Sequence, residues 1–357
     1  PSINEWVIQS TDCPPISAST MSGNLFKSLA TVSGLTLVSR VMGFARQVLV
    51  AGVIGAGGNP VADAFWAAFR LPNMFRRLFA EGAFQAAFVP LFSGRLVSED
   101  KEAAKQFAEE VMAFLLFVLL GLTIIVEIFA PIAVYGIASG FARDAEKFEL
   151  TTLYLRIMFP YLACMSLVGL LSGILNSLDK FMAYAGAPLI LNFCQIGAIM
   201  LTADGTLEAS GAALAWGTAL SGFLQLALLV WGARRQGYLL KVKIPRLTPG
   251  VKRLILLGGP GFLSAGATQI NIVIGTNIAS QQPGAVSWLM NADQLYQLPL
   301  AVIGTALGVV LLPMLSRRVK EGDEAGAMHA INRSIELSST LVLPAAAAFI
   351  VMSGPLI

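Results

Sequence analysis

The chain has 357 residues, of which 56% are hydrophobic and only 13% charged, with a mean hydropathy of +0.72 and a formal net charge of +3. A soluble domain carries about a quarter charged residues, so this composition excludes an ordinary soluble fold; with so small a net charge, no nucleic-acid partner is expected. One histidine, His329, and three scattered cysteines, Cys13, Cys164 and Cys194, exclude histidine-based acid–base catalysis, a zinc site and a disulfide framework.

Residues 1–21 are polar, contain Pro14-Pro15 and lack the basic and apolar regions of a signal peptide. They read as a disordered or non-native lead, with Met21 a plausible start. Apolar runs then predict helices over 26–55, 61–94, 106–136, 150–176, 182–203, 209–232, 253–280, 286–316 and 328–352. Runs of about twenty apolar residues cross a hydrocarbon core of ~30 Å. The fold class expected is therefore an all-α polytopic membrane protein.

Lysine and arginine placement orients the spans. With the N-terminus cytoplasmic, about 16 of the 24 basic residues fall in inside segments, and only Arg143 and Lys147 in outside loops. The densest inside segment, 234–253, carries Arg234, Arg235, Lys241, Lys243, Arg246, Lys252 and Arg253. It reads as a topology anchor beside anionic lipid headgroups or as a docking site for a cytoplasmic partner. The domain division expected is an N-terminal lobe of six helices over 22–233, a basic connector over 234–252 and a partial second lobe over 253–357. The second and eighth runs support two related lobes, because each has a Leu-Pro pair (Leu71-Pro72, Leu298-Pro299), a glycine and a second proline (Pro90, Pro313). Lobes that rock about a site between them are a common transporter plan.

The strongest chemical signal lies in the first two runs. The first carries Arg40 and Arg46; the second carries Asp63, Arg70, Arg76, Arg77 and Glu81. An intramembrane charge costs at least about 2.5–3.5 kcal/mol on insertion scales, so these side chains must line a hydrated cavity, pair with one another or reach an interface. Arg40 and Arg46 are roughly 240° apart around an ideal helix and border one wide cavity if Gly43 permits a bend. The second run, at ~1.5 Å per residue, is roughly 50 Å long, and Pro72 and Gly82 are its candidate bends. Five arginines against two acids suit an anion with several charges, and guanidinium binds phosphate in a bidentate fork. A phosphate- or diphosphate-bearing substrate is expected, with Asp63 and Glu81 holding the arginines in position. The other reading places Arg70, Arg76 and Arg77 in an interfacial belt. Glu127 and Arg156 are expected to pair or snorkel, while Asn192, Gln195, Gln269, Asn271 and Asn277 are expected to act as interhelical glue.

NLFKSLATVSGLTLVSRVMGFARQ and DAFWAAFRLPNMFRRLFAEGAFQAAFVP resemble the N-terminal signature of the MurJ (MviN) lipid II flippases, in the multidrug/oligosaccharidyl-lipid/polysaccharide exporter superfamily. Weaker similarity continues through APLILNFCQIGA and VSWLMNADQLYQLPLAVIGTALGVVLLP. The resemblance implies a V-shaped, two-lobe fold of fourteen helices in the bacterial inner membrane, of which this chain carries about nine and so is expected to be truncated. It implies a transporter rather than an enzyme, flipping undecaprenyl-diphosphate-linked peptidoglycan precursor (lipid II) by alternating access among membrane lipids. It needs no cofactor and draws on a sodium gradient or the membrane potential. It places the family's functional residues on Arg40, Arg46, Arg76 and Asp63; Arg77 and Glu81 join the candidate substrate-binding set from the charge argument. An arginine common in the family after the Ala-Asp of helix 8 is Gln294 here. The alternatives are a small-molecule antiporter of the same superfamily, an inactive homologue, and a lipid-sugar transferase. Antiporters of that superfamily usually move cations, which an arginine-rich cavity hosts poorly. The transferase would need the acidic metal clusters and large polar loops that this sequence lacks.

Overall fold

A computed structural model describes residues 18–80, 83–297, 311, 315, 318 and 321–351, with side chains from residue 34 onward. Among the described residues the regular structure is entirely helical. The elements are α1 (Ala18–Ile54), α2 (Pro60–Ala80), α3 (Ala83–Ser98), α4 (Lys101–Ile128), α5 (Ala130–Ile137), α6 (Ala145–Met158), α7 (Tyr161–Ser177), α8 (Met182–Thr202), α9 (Leu207–Arg235) and α10 (Pro249–Ala279). A further helix α11 covers 285–297, and α12 is Glu324–Val351. A 3-10 turn, Ser139–Arg143, joins α5 to α6. Among the described residues six spans are long and apolar enough to cross a membrane: Gly34–Ile54, α4, α6 with α7, α8, α9 and α12.

Local sequence explains the boundaries. Asp100, Asp144, Thr206 and Thr248 each accept the backbone N–H three residues on, capping α4, α6, α9 and α10. The third predicted run breaks at Phe129, with Pro131 in the first turn of α5. The fourth run starts early, at the Asp144 cap, and divides at Phe159-Pro160 into α6 and α7. α9 ends on Gly237 at φ +80°, where its N–H and that of Tyr238 reach back to the Arg234 and Ala233 carbonyls; the left-handed conformation there suits glycine. The second run is described as two helices, α2 and α3, and Gly82 and Glu81 lie outside the described residues. So does most of the eighth run, including the Leu298-Pro299 pair of the proposed repeat.

Small residues let the helices approach closely. A Cβ on Gly222 of α9 would stand 2.8 Å from the Tyr161 ring of α7, and one on Gly217 would stand 3.0 Å from the Cys194 carbonyl of α8. Such contacts give membrane helices their packing energy, since lipid is as apolar as leucine. Polar pairs add to them: Gln195 Nε2 donates to Thr218 Oγ1 across α8 and α9 at 2.6 Å. Arg156, expected to pair with Glu127 or to snorkel, donates from Nε to the Glu127 backbone carbonyl at 3.2 Å. The outer surface is apolar, with Leu201 88% and Leu256 79% exposed. A surface of that kind is suited to hydrocarbon rather than water.

The two ends of the bundle are closed differently. At the end carrying the connector between α9 and α10, Lys243 Nζ pairs with Glu109 Oε2 at 2.8 Å, the Lys241 N–H donates to Glu109 Oε1 at 3.1 Å, and Thr248 Oγ1 donates to Glu110 at 2.7 Å. At the far end, the α5–α6 turn is tied to α10. Gly140 N donates to Ser280 Oγ at 3.0 Å and Asn277 Nδ2 donates to the Gly136 carbonyl at 3.1 Å. There α11 also meets the α1–α2 loop, with Gly284 at φ +83° and a Cβ on it only 2.6 Å from the Gly58 amide nitrogen. Gly284→Ala combines left-handed backbone strain, about 1–2 kcal/mol, with a backbone collision. It is expected to lower the melting temperature and to make cysteines placed at the far end more reactive to a water-soluble maleimide; unchanged melting and labelling would contradict this packing.

Candidate functional site

α1 crosses beside α8, and α2 returns against α6 and α7. Between them, and under α11, lies a cavity of about 490 Å³. Arg40 and Arg46 of α1 and Arg76 of α2 all line it. Gly43, between the two α1 arginines, lines it too and faces the Asn192 amide of α8. The six-residue spacing therefore does not separate Arg40 from Arg46, because the cavity is wide enough to take both faces.

The remaining wall is neutral. Asn73, Tyr161, Tyr184, Asn192, Gln225, Gln294 and Gln297 contribute polar groups, and no aspartate or glutamate is among the described lining residues. Arg76 Nε is oriented by Asn73 Oδ1 at 3.1 Å. Asn192 Nδ2 donates to the Ser39 carbonyl at 3.0 Å, fixing α8 to α1 beside Arg40. Arg46 Nε is buried with no hydrogen-bond partner. An unmet guanidinium donor beside a cavity with no acid in its described wall suits an anionic guest, because a buried donor left unsatisfied costs free energy.

Asp63 corrects an expectation. It neither lines the cavity nor holds the arginines. It is fully buried near the start of α2, and its carboxylate accepts from Lys147 Nζ at 2.7 Å, Gly284 N at 2.8 Å, Ser287 N at 3.1 Å and Ser287 Oγ at 2.7 Å. Lys147, expected in an outside loop, is a buried residue of α6 that also stands over the Phe141 ring. Asp63 thus caps the first turn of α11, taking up amides that α11 itself leaves unpaired. Further ties run alongside: Gln47 Nε2 donates to Asn291 Oδ1, Asn291 Nδ2 donates to the Ala56 carbonyl at 2.7 Å, and Arg70 pairs with Asp293 at 3.7 Å. Together these join α1 and α2 to α11 at the far end.

Of the other expected site residues, Arg77 is exposed and is not among the cavity's lining residues, and Glu81 lies outside the described residues. Sequence reasoning missed Tyr161, Tyr184, Gln225 and Gln297 as lining residues, since a neutral polar group in an apolar run signals helix packing equally well. Asn192, read as interhelical glue, makes that contact and also faces the cavity.

The comparisons can now be set beside this geometry. The family model described as "Lipid II flippase MurJ" matches residues 50–357, a span that includes Asp63 and Arg76 and begins just after Arg46. A "Probable lipid II flippase MurJ" of Rhizobium tropici is 48% identical over 337 residues, 94% of this chain and 63% of that protein. A "Lipid II flippase MurJ" of Burkholderia cenocepacia is 37% identical over 338 residues, covering 93% of this chain and 65% of that one. The chain thus spans somewhat under two thirds of the length of these relatives. Among solved structures, "Lipid II flippase MurJ, inward closed conformation" superposes with a TM-score of 0.73 at 24% identity, over 91% of this chain and 66% of that one. A multidrug resistance MATE family transporter of the MOP superfamily, in an inward-facing conformation, gives a TM-score of 0.66 at 17% identity, over 90% of this chain and 74% of that one. These two share the fold. The family match over most of the chain, with relatives of this identity, makes it a member of the MurJ lipid II flippase family.

Proposed function

We propose that this chain carries the cargo-binding part of a flippase that moves undecaprenyl-diphosphate-linked peptidoglycan precursor from the cytoplasmic to the periplasmic leaflet of a bacterial inner membrane. The observation that carries this reading is that Arg40, Arg46 and Arg76 share one cavity with no carboxylate in its described wall. A diphosphate offers the charge and the paired oxygens that guanidinium forks bind best. A cationic drug would meet three like charges and no acid, so the antiporter reading is disfavoured by the same wall.

In this proposal the connector end is cytoplasmic, as the basic residues of 234–253 favour, and the far end is periplasmic. Helices of 22–233 and of 253–357 form two lobes, and the Asp63–Lys147–Ser287 contacts hold them together on the periplasmic side. The headgroup enters from the cytoplasm and its diphosphate meets the guanidiniums of Arg40, Arg46 and Arg76. Rocking then parts Asp63 from α11 and exposes the cargo, with free energy drawn from the membrane potential or a sodium gradient.

The test is native mass spectrometry of the purified chain with undecaprenyl diphosphate. One lipid should be retained, and inorganic diphosphate should compete for the site. The R40Q/R46Q/R76Q variant should lose the lipid, since each charge-assisted hydrogen bond contributes about 1.5–3 kcal/mol. Equal retention of a lipid with an uncharged headgroup would refute the reading.

A further inference from the structure

The cavity is chemically divided. Its three guanidiniums come from α1 and α2, whereas α11 contributes two amides, Gln294 and Gln297, one turn apart and on one face of the helix. Both are half-buried, and among the described residues neither has a hydrogen-bond partner. Asn73 and Asn192, by contrast, are already committed to Arg76 and to the Ser39 carbonyl.

We infer that Gln294 and Gln297 form a sugar-reading subsite that binds the pyranose attached directly to the diphosphate. This rests on the diphosphate reading above and extends it to the neutral part of the headgroup. An amide side chain both donates and accepts, which matches ring hydroxyls and an N-acetyl group and matches a diphosphate poorly. Both amides face a cavity that is open to water, so a sugar hydroxyl exchanges for water there with a modest net gain per hydrogen bond. Size agrees: an engineered cavity of about 150 Å³ holds one benzene ring, and about 490 Å³ is some three times that volume. That suffices for a diphosphate and one sugar, and leaves the rest of a larger headgroup outside. Position 294 thereby sets specificity. With glutamine there the wall opposite the arginines selects for sugar; with arginine it would add to the hold on phosphate.

The experiment compares two ligands on the same protein: undecaprenyl diphosphate, and undecaprenyl diphosphate bearing its first sugar. The wild-type chain should prefer the sugar-bearing lipid by about tenfold, the effect of two net hydrogen bonds. The Q294A/Q297A variant should lose that preference, and Gln294→Arg should raise affinity for the bare lipid while narrowing it. Melting temperatures of the variants should stay near wild type, since among the described residues the two amides bond to nothing. Equal binding of both ligands by the wild type, or a preference that survives the double substitution, overturns the subsite. Failure of the bare lipid to bind in an arginine-dependent way would instead strike the diphosphate reading itself, so the two failures are distinguishable.

Discussion

Arg46→Ala should abolish lipid translocation without weakening the fold. The guanidinium Nε is buried and unpartnered, so truncation breaks no hydrogen bond at that atom. It also removes a charge that the apolar bundle holds at a cost. Thermal stability should stay level or rise, the signature of a functional group kept against the interest of the fold. Binding should fall by roughly two orders of magnitude, because the diphosphate loses about two charge-assisted hydrogen bonds. Lipid retention in native mass spectrometry and flipping in proteoliposomes read one effect, and thermal unfolding reads the other. Wild-type retention by the alanine variant would remove Arg46 from the clamp. A large drop in melting temperature would mean that it is structural.

The second large effect is expected at Asp63. Asp63→Asn leaves Lys147 as a buried ammonium facing a neutral partner, and breaking a buried pair in this way costs about 3–5 kcal/mol. It also weakens the cap on α11, because a carboxylate serves a helix N-terminus better than an amide does. The melting temperature should drop, and the far end should open. In a cysteine-free background, a thiol at Thr36 in the cavity wall should become reactive to a membrane-impermeant reagent added from the far side. Removing both charges, D63N/K147M, should recover much of the lost stability. Strictly additive losses would mean that the two side chains do not depend on each other.

What the sequence could and could not reveal follows from the range of the interactions. Arg40, Arg46 and Arg76 are legible because a guanidinium in an apolar run always needs an explanation, and the explanations are few. The Asp63 partnership was not. Lys147 lies 84 positions away, on a helix whose polar start resembles an ordinary loop boundary, and Ser287 lies 224 positions away. Pairing Asp63 with the nearby arginines was the natural guess, and it failed because α2 carries its acid and its arginines at different depths. The predicted runs that fall on described residues were readable as helices since length and apolarity are local properties. The breaks at Phe129 and Phe159-Pro160 were missed because an interrupted run stays apolar throughout. Neutral cavity residues such as Gln225 and Tyr184 gave no signal beyond that of any polar group between packed helices.

The lack of acids around the cavity bears on how the chain enters its membrane. Helix α1 carries two of the three cavity arginines, and its window has a hydropathy of 1.5 against 2.8 for α4. Two arginines at about 2.5–3.5 kcal/mol each make it a poor candidate to settle in lipid unaided, and no carboxylate stands in the described cavity wall to neutralise them. Retention of α1 in the bilayer is therefore expected to draw on its packing against α8, whose Asn192 Nδ2 donates to the Ser39 carbonyl. The two helices are accordingly expected to settle in the bilayer as partners, so that a substitution breaking the α8 contact lowers the membrane-inserted fraction of α1 as well as of α8.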